Sequence, residues 1–130
     1  MNIVIDTNVI VSAILSTNGN PYKVLNLIGN DDTVNVYYCA EILAEYKKVL
    51  AYERLHISAE TQRDILDTIE KFGILIEPTV SDIPMIDETD RIFYDTAKAA
   101  EATLLTGNIK HYPAEPFIML PADFIKNVEL

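Results

Sequence analysis

Short β-branched runs alternate with helix-length apolar stripes along most of this chain, and that alternation admits few architectures. Ile3-Val4-Ile5 opens it as a run suited to a buried parallel strand. Asp6-Thr7-Asn8 follows with helix N-cap chemistry ahead of the apolar run Val9 to Leu15. Thr17-Asn18-Gly19-Asn20-Pro21 turns the chain, and Val24, Leu25, Leu27 and Ile28 hold helical spacing until Gly29-Asn30-Asp31-Asp32. Val34, Val36 and Tyr37-Tyr38 suit a second strand. A helix is predicted from Cys39 to about Leu55, with Ile42, Tyr46, Val49, Leu50 and Glu53 on one side. Ser58 to Phe72 is a further helix, with an N-terminal signal at Ser58-Ala59-Glu60-Thr61 and a stop at Gly73. Ile74-Leu75-Ile76 is a third strand, and a helix runs from about Thr89 to Ala102. Thr103-Leu104-Leu105 and Phe117-Ile118-Met119 supply the fourth and fifth strands. Strands separated by helices imply right-handed crossovers and an open, mostly parallel sheet covered on both faces. In such sheets ligands sit outside the carboxyl ends of the strands.

At 130 residues, 49% of them hydrophobic, the chain has the size and apolar content of a single domain over 1–130. The lone cysteine, Cys39, excludes an intrachain disulfide and fits a reducing, cytoplasmic setting. No apolar run approaches the roughly 20 residues that cross a bilayer, so no membrane partner is expected. The N-terminus meets an acid at Asp6 without a preceding basic region, unlike a secretory signal. Twenty acids against ten bases give a net charge of -10, which repels polyphosphate at long range and argues against a general nucleic-acid coat protein. Acids grouped around bound cations reverse that field locally.

Three acids stand where the pattern puts chemistry. Asp6 directly follows the first strand; taken alone it reads as a helix cap. Glu45 lies mid-helix, about 100° from the centre of the apolar stripe by the 3.6-residue period, a flank position common for a solvated Glu. Asp90 begins a helix whose buried side is Phe93, Thr96, Ala97 and Ala100, and alone it too reads as a cap. Thr106-Gly107-Asn108 follows the fourth strand, where Gly permits a tight turn and the Asn amide oxygen can accept hydrogen bonds or meet a metal's water.

Taken together these segments resemble a known family over nearly the whole chain. Ile5-Asp6-Thr7-Asn8-Val9-Ile10-Val11-Ser12-Ala13 resembles the first motif of PIN-domain ribonucleases, and Ile42-Leu43-Ala44-Glu45-Tyr46-Lys47-Lys48-Val49-Leu50 is similar to the helix carrying their second acid. Asp90-Arg91-Ile92-Phe93-Tyr94-Asp95-Thr96-Ala97 and Leu104-Leu105-Thr106-Gly107-Asn108-Ile109-Lys110-His111-Tyr112-Pro113 look like their third and fourth motifs. The nearest subgroup is the VapC-type toxins of bacterial toxin-antitoxin pairs. The order and spacing of four elements make this far more specific than Asp-Thr-Asn alone.

The resemblance implies a three-layer α/β/α fold on a five-stranded, mostly parallel sheet. It also implies a site of Asp6, Glu45 and Asp90 holding Mg²⁺ or Mn²⁺, with Asn108 at the fourth position, where many relatives carry an acid. Such carboxylates repel one another unless a cation neutralises them, and hard oxygen ligands suit these ions. The implied activity is metal-assisted endonucleolytic cleavage of single-stranded or looped RNA, the form of RNA whose bases proteins read. Secondary candidates are Asn8, Thr106 and Asp95, the last about 140° round the helix from Asp90. Lys47, Lys48, Arg91, Lys110 and His111 neighbour the acids in sequence and are candidate RNA contacts, each also readable as solvated surface charge. A cognate antitoxin and a homodimer are the implied protein partners.

Two other readings stay open. One is a catalytically weakened PIN-fold module that binds RNA or a protein partner, kept alive by the uncharged Asn108. The other is a haloacid-dehalogenase-type phosphatase, which also places Asp after its first strand, but that motif wants a second Asp where this chain has Asn8.

Overall fold

The computed structural model describes residues 1–129. Its elements are β1 (Asn2–Ile5), α1 (Thr7–Leu15), α2 (Asn20–Leu27), β2 (Asn35–Tyr38), α3 (Ala40–Leu50), α4 (Ala59–Phe72), β3 (Ile74–Leu75), α5 (Arg91–Ala100), β4 (Thr103–Leu105), β5 (Ile118–Met119) and α6 (Pro121–Glu129). The strands form one five-stranded sheet in the order β3-β2-β1-β4-β5, and all four pairings are parallel. The α/β architecture expected from the alternation is therefore present.

Burial shows why the central strand reads as a continuous apolar run. Successive strand residues point to opposite faces, yet Ile3, Val4 and Ile5 are all 0% exposed, so helices cover both faces. The core continues through Val36, Leu104 and Leu105 from the sheet and Ile42, Tyr46, Leu50, Phe93 and Tyr94 from α3 and α5. At the edge, β3 is only two residues long and both are exposed.

The boundaries differ from expectation where local chemistry competes with helical propagation. The helix expected through Leu55 stops at Leu50; Tyr52 then adopts extended backbone, and a separate 3₁₀ turn, Glu53–Leu55, follows. The helix expected from Thr89 starts as a 3₁₀ turn over Glu88–Asp90, because the Asp87 carboxylate accepts both the Thr89 N–H at 2.9 Å and its hydroxyl at 2.8 Å. Regular α geometry begins only at Arg91. Ser58 caps α4 as its sequence suggests, accepting the Thr61 N–H at 3.1 Å. The pattern gave no sign of α6. It starts at Pro121, which suits a first helical turn, and buries Phe124 and Ile125. Gly29 takes a left-handed φ of 78°, and a Cβ there would lie 2.7 Å from the Phe72 ring, so this turn requires glycine.

Candidate active site

Strand order locates the site. From β1 the chain steps outward through β2 to β3, then crosses back to β4 on the other side of β1, so the strand order reverses between β1 and β4 and opens a crevice at the carboxyl ends of these strands. Register aligns Ile5 with Leu105, and the Asp6 N–H donates to the Leu105 carbonyl at 2.9 Å. Asp6 and Thr106 are thus neighbours at the crevice although 100 residues apart.

Asp6 occupies the N-cap position of α1 but makes no cap hydrogen bond. Its Oδ2 instead accepts two side-chain hydroxyls, from Thr106 at 2.9 Å and Tyr112 at 2.8 Å. Capping alone therefore does not account for this acid. Burial raises the Asp6 pKa above its ordinary value; the two hydroxyls, and the Thr7 and Asn8 N–H groups facing it, oppose that shift.

Thr106 organises the turn after β4. Its hydroxyl donates to Asp6 and accepts the Asn108 N–H at 3.0 Å, with the Asn8 amide 3.5 Å away. The Asn8 side-chain oxygen accepts the Gly107 N–H at 3.0 Å. Asn8 and Thr106 thereby tie the β1–α1 corner to the Thr106-Gly107-Asn108 turn. Asn108 itself is exposed at the crevice rim.

Glu45 and Asp90 arrive from the two helices beside β1. Tyr46 is fully buried, and its hydroxyl donates to the Ile5 carbonyl, which pins α3 to the residue before Asp6 and sets the half-buried Glu45 next to that anchor. Removing this hydroxyl strands a buried carbonyl. Tyr46→Phe should therefore lower stability by about 1 kcal/mol in urea melts, against no change if the contact is idle. Asp90 sits at the start of α5, again without a cap bond. Its carboxyl is pushed up to about 6, first by burial, then by the charges of Asp6 and Asp87, with Glu45 adding and His111 opposing. The three acids expected at the site thus share one electrostatic field. Among the described residues, however, no three His, Cys, Asp or Glu side chains converge closely enough to grip an ion.

Other candidates lie elsewhere. Asp95 is buried, its Oδ2 accepting the Ser81 N–H at 3.1 Å and its Oδ1 without a partner, so it faces the segment leading to α5. Arg91 pairs with Glu88 at 2.6 Å and donates to the Ser81 carbonyl at 2.9 Å, which holds its guanidinium against the segment before α5. Lys47, Lys48, Lys110 and His111 are exposed.

Sequence reasoning passed over Tyr112, Tyr46 and Asp87. Tyr112 stands directly after His111 in the fourth motif, which was the available signal, but an aromatic beside Pro113 reads as packing. Its phenol, buried beside Asp6 and Asp90, has its pKa raised and stays a donor.

Residues 2–110 match the PIN domain family. The chain belongs to that family. PIN domains are generally nucleases that use divalent metals. This PIN domain is 32% identical over 111 residues to an uncharacterised protein of Methanocaldococcus jannaschii, across 83% of this chain and 71% of that protein. Its fold is similar to a chain in the crystal structure of VapBC2 from Rickettsia felis bound to a DNA fragment from their promoter. The TM-score is 0.59 at 21% identity, over 92% of this chain and 97% of that one. Among the described residues no helix is long and apolar enough to cross a membrane.

Proposed function

We propose that this PIN domain is a divalent-metal-dependent endoribonuclease of the cytoplasm, one domain over 1–130, that cuts single-stranded or looped RNA as the toxin of a toxin-antitoxin pair. The observation that carries the reading is the crowding of Asp6 and Asp90 at the switch point, each destabilised in its charged form by burial and Asp90 also by its acidic neighbours. Charging both acids in the fold costs free energy, which a bound cation offsets.

The donor types suit Mg²⁺ or Mn²⁺: Asp6, Glu45 and Asp90 offer only hard oxygens, which must draw together to grip an ion, and Asn108 adds an amide oxygen at the rim. Such an ion, when bound, supplies Lewis acidity at phosphorus and a water of lowered pKa. The protein's own residues do the rest. Tyr46 holds α3 against β1, Thr106 and Asn8 hold the turn that carries Asn108, and Lys47, Lys48, Lys110 and His111 meet the RNA phosphates in an otherwise acidic molecule. The toxin assignment and an antitoxin partner draw on the motif resemblance and on the fold likeness to a chain of the VapBC2 structure, and the homodimer on the chain's apolar content.

The second reading, a module that binds RNA or a protein with weakened turnover, is favoured by Asn108, whose amide brings no negative charge to the fourth position. One experiment separates them. Purified protein incubated with a panel of structured and unstructured RNAs should cut only when Mg²⁺ or Mn²⁺ is added. Binding without cleavage under every condition selects the second reading, and cleavage that survives exhaustive chelation overturns the metal requirement.

A further inference from the structure

A lone aspartate is a poorly directed ligand. The torsion that rotates its carboxylate plane is broad and roughly two-fold, so either oxygen, or both, can turn toward an ion. Asp6 is different, because two hydroxyls from the far end of the chain meet on the same oxygen. Thr106 Oγ1 and Tyr112 Oη both donate to Oδ2, at 2.9 and 2.8 Å.

Both donors are themselves held. Thr106 is 0% exposed, and its oxygen accepts the Asn108 N–H at 3.0 Å with the Asn8 amide 3.5 Å away. Tyr112 is 5% exposed and leaves a 3₁₀ turn, Ile109–His111, whose bonds from His111 N to the Asn108 carbonyl at 3.0 Å and from Tyr112 N to the Ile109 carbonyl at 3.1 Å fold the chain back over the sheet end. From there its ring reaches 106 residues back along the sequence to Asp6.

We infer that Tyr112 is a positioning residue which, together with Thr106, saturates Asp6 Oδ2 and leaves Oδ1 as the single oxygen this acid offers a cation. The inference rests on the metal-dependent reading of the site and adds to it how one ligand is aimed. Single-oxygen ligation suits small cations that demand near-octahedral geometry, which a carboxylate free to bind through both oxygens distorts. Hydrogen bonds that orient a ligand typically change metal affinity by about 10- to 100-fold when lost.

The test is Mn²⁺ binding by titration calorimetry to the full chain, wild type against Tyr112→Phe, with thermal melts of both in chelator. The expected result is a Kd weakened about 10- to 100-fold in Tyr112→Phe while it stays folded. Thr106→Val should weaken Mn²⁺ similarly, and Thr106→Ser, which keeps the hydroxyl, should bind like wild type. That pair carries the test if Tyr112→Phe fails to fold. A purely packing role for Tyr112 and Thr106 predicts lower melting temperatures with unchanged Mn²⁺ affinity, and that outcome overturns the inference while leaving the metal reading intact. Wild type that takes up no Mn²⁺ overturns both.

Discussion

Asp6→Asn, Glu45→Gln and Asp90→Asn should each reduce metal-dependent RNA cleavage by more than about a hundredfold while leaving the protein folded. The magnitude follows by comparison: losing a group that merely orients a metal ligand costs about 10- to 100-fold, and losing the ligand's charge costs more. Retention of the fold follows from shape. Each replacement is nearly isosteric, and in Asp6→Asn the amide oxygen can still accept the Thr106 and Tyr112 hydroxyls that the carboxylate accepts. Neither Asp6 nor Asp90 makes a side-chain cap hydrogen bond, and an Asn oxygen can still face the α1 N–H groups that Asp6 faces. Single-turnover cleavage at saturating Mn²⁺, with far-UV circular dichroism of each variant, measures both halves. Wild-type rates in any one variant remove that residue from the site.

Metal-free Asp90→Asn should melt higher than metal-free wild type at neutral pH, though it destroys activity. The Asp90 carboxyl, ordinarily near 3.8, is pushed up to about 6, so the folded state holds its proton more tightly than the unfolded chain. The cost of charging it in the fold is absent below about pH 3.8, grows as pH rises, and is complete above about 6. Solvent screening of this half-buried group trims the cost to on the order of 1–2 kcal/mol. The variant's advantage should therefore be largest at pH 7 and above and vanish near pH 4. Were Asp90 simply a favourable charge at a helix start, the sign would reverse, with a loss of up to about 1 kcal/mol on neutralisation. Binding stabilises only the form that binds, so wild type should gain about 2.7 kcal/mol when Mg²⁺ reaches a hundred times its Kd, and Asp90→Asn far less. Melts of both proteins across pH, with chelator and with Mg²⁺, decide it. A lower-melting variant with an equal Mg²⁺ response makes Asp90 structural.

The alternation of β-branched runs and helical stripes made the parallel sheet legible, because buried strand and amphipathic helix are patterns written in neighbouring residues. It also placed Asp6 and Thr106-Gly107-Asn108 at strand ends, where an α/β fold exposes its chemistry. Whether those acids were caps or site residues was open, since capping and site aspartates look alike in one dimension. The tertiary structure adds what one dimension lacks: neither acid makes a side-chain cap hydrogen bond, and Asp6 is met instead by hydroxyls from Thr106 and Tyr112.

Arg91, Asp95 and Tyr112 show the same limit from three sides. Arg91 and Asp95 share the third motif with Asp90, yet both turn to Ser81 in the segment before α5. Tyr112 looks like core and is core by burial, but its hydroxyl ends on Asp6. Helix α6 escaped notice because a nine-residue amphipathic segment beginning at proline gains its stability from packing, with Phe124 and Ile125 buried, rather than from its own periodicity. What the chain determined by itself was the order of the elements from β1 to β5 and the strand end on which Asp6 stands, both consequences of short-range pattern. Which side chain meets which across 100 residues was decided only when β1 and β4 paired side by side, because hydrogen bonds such as Tyr112 to Asp6 depend on positions in space that no local spacing encodes.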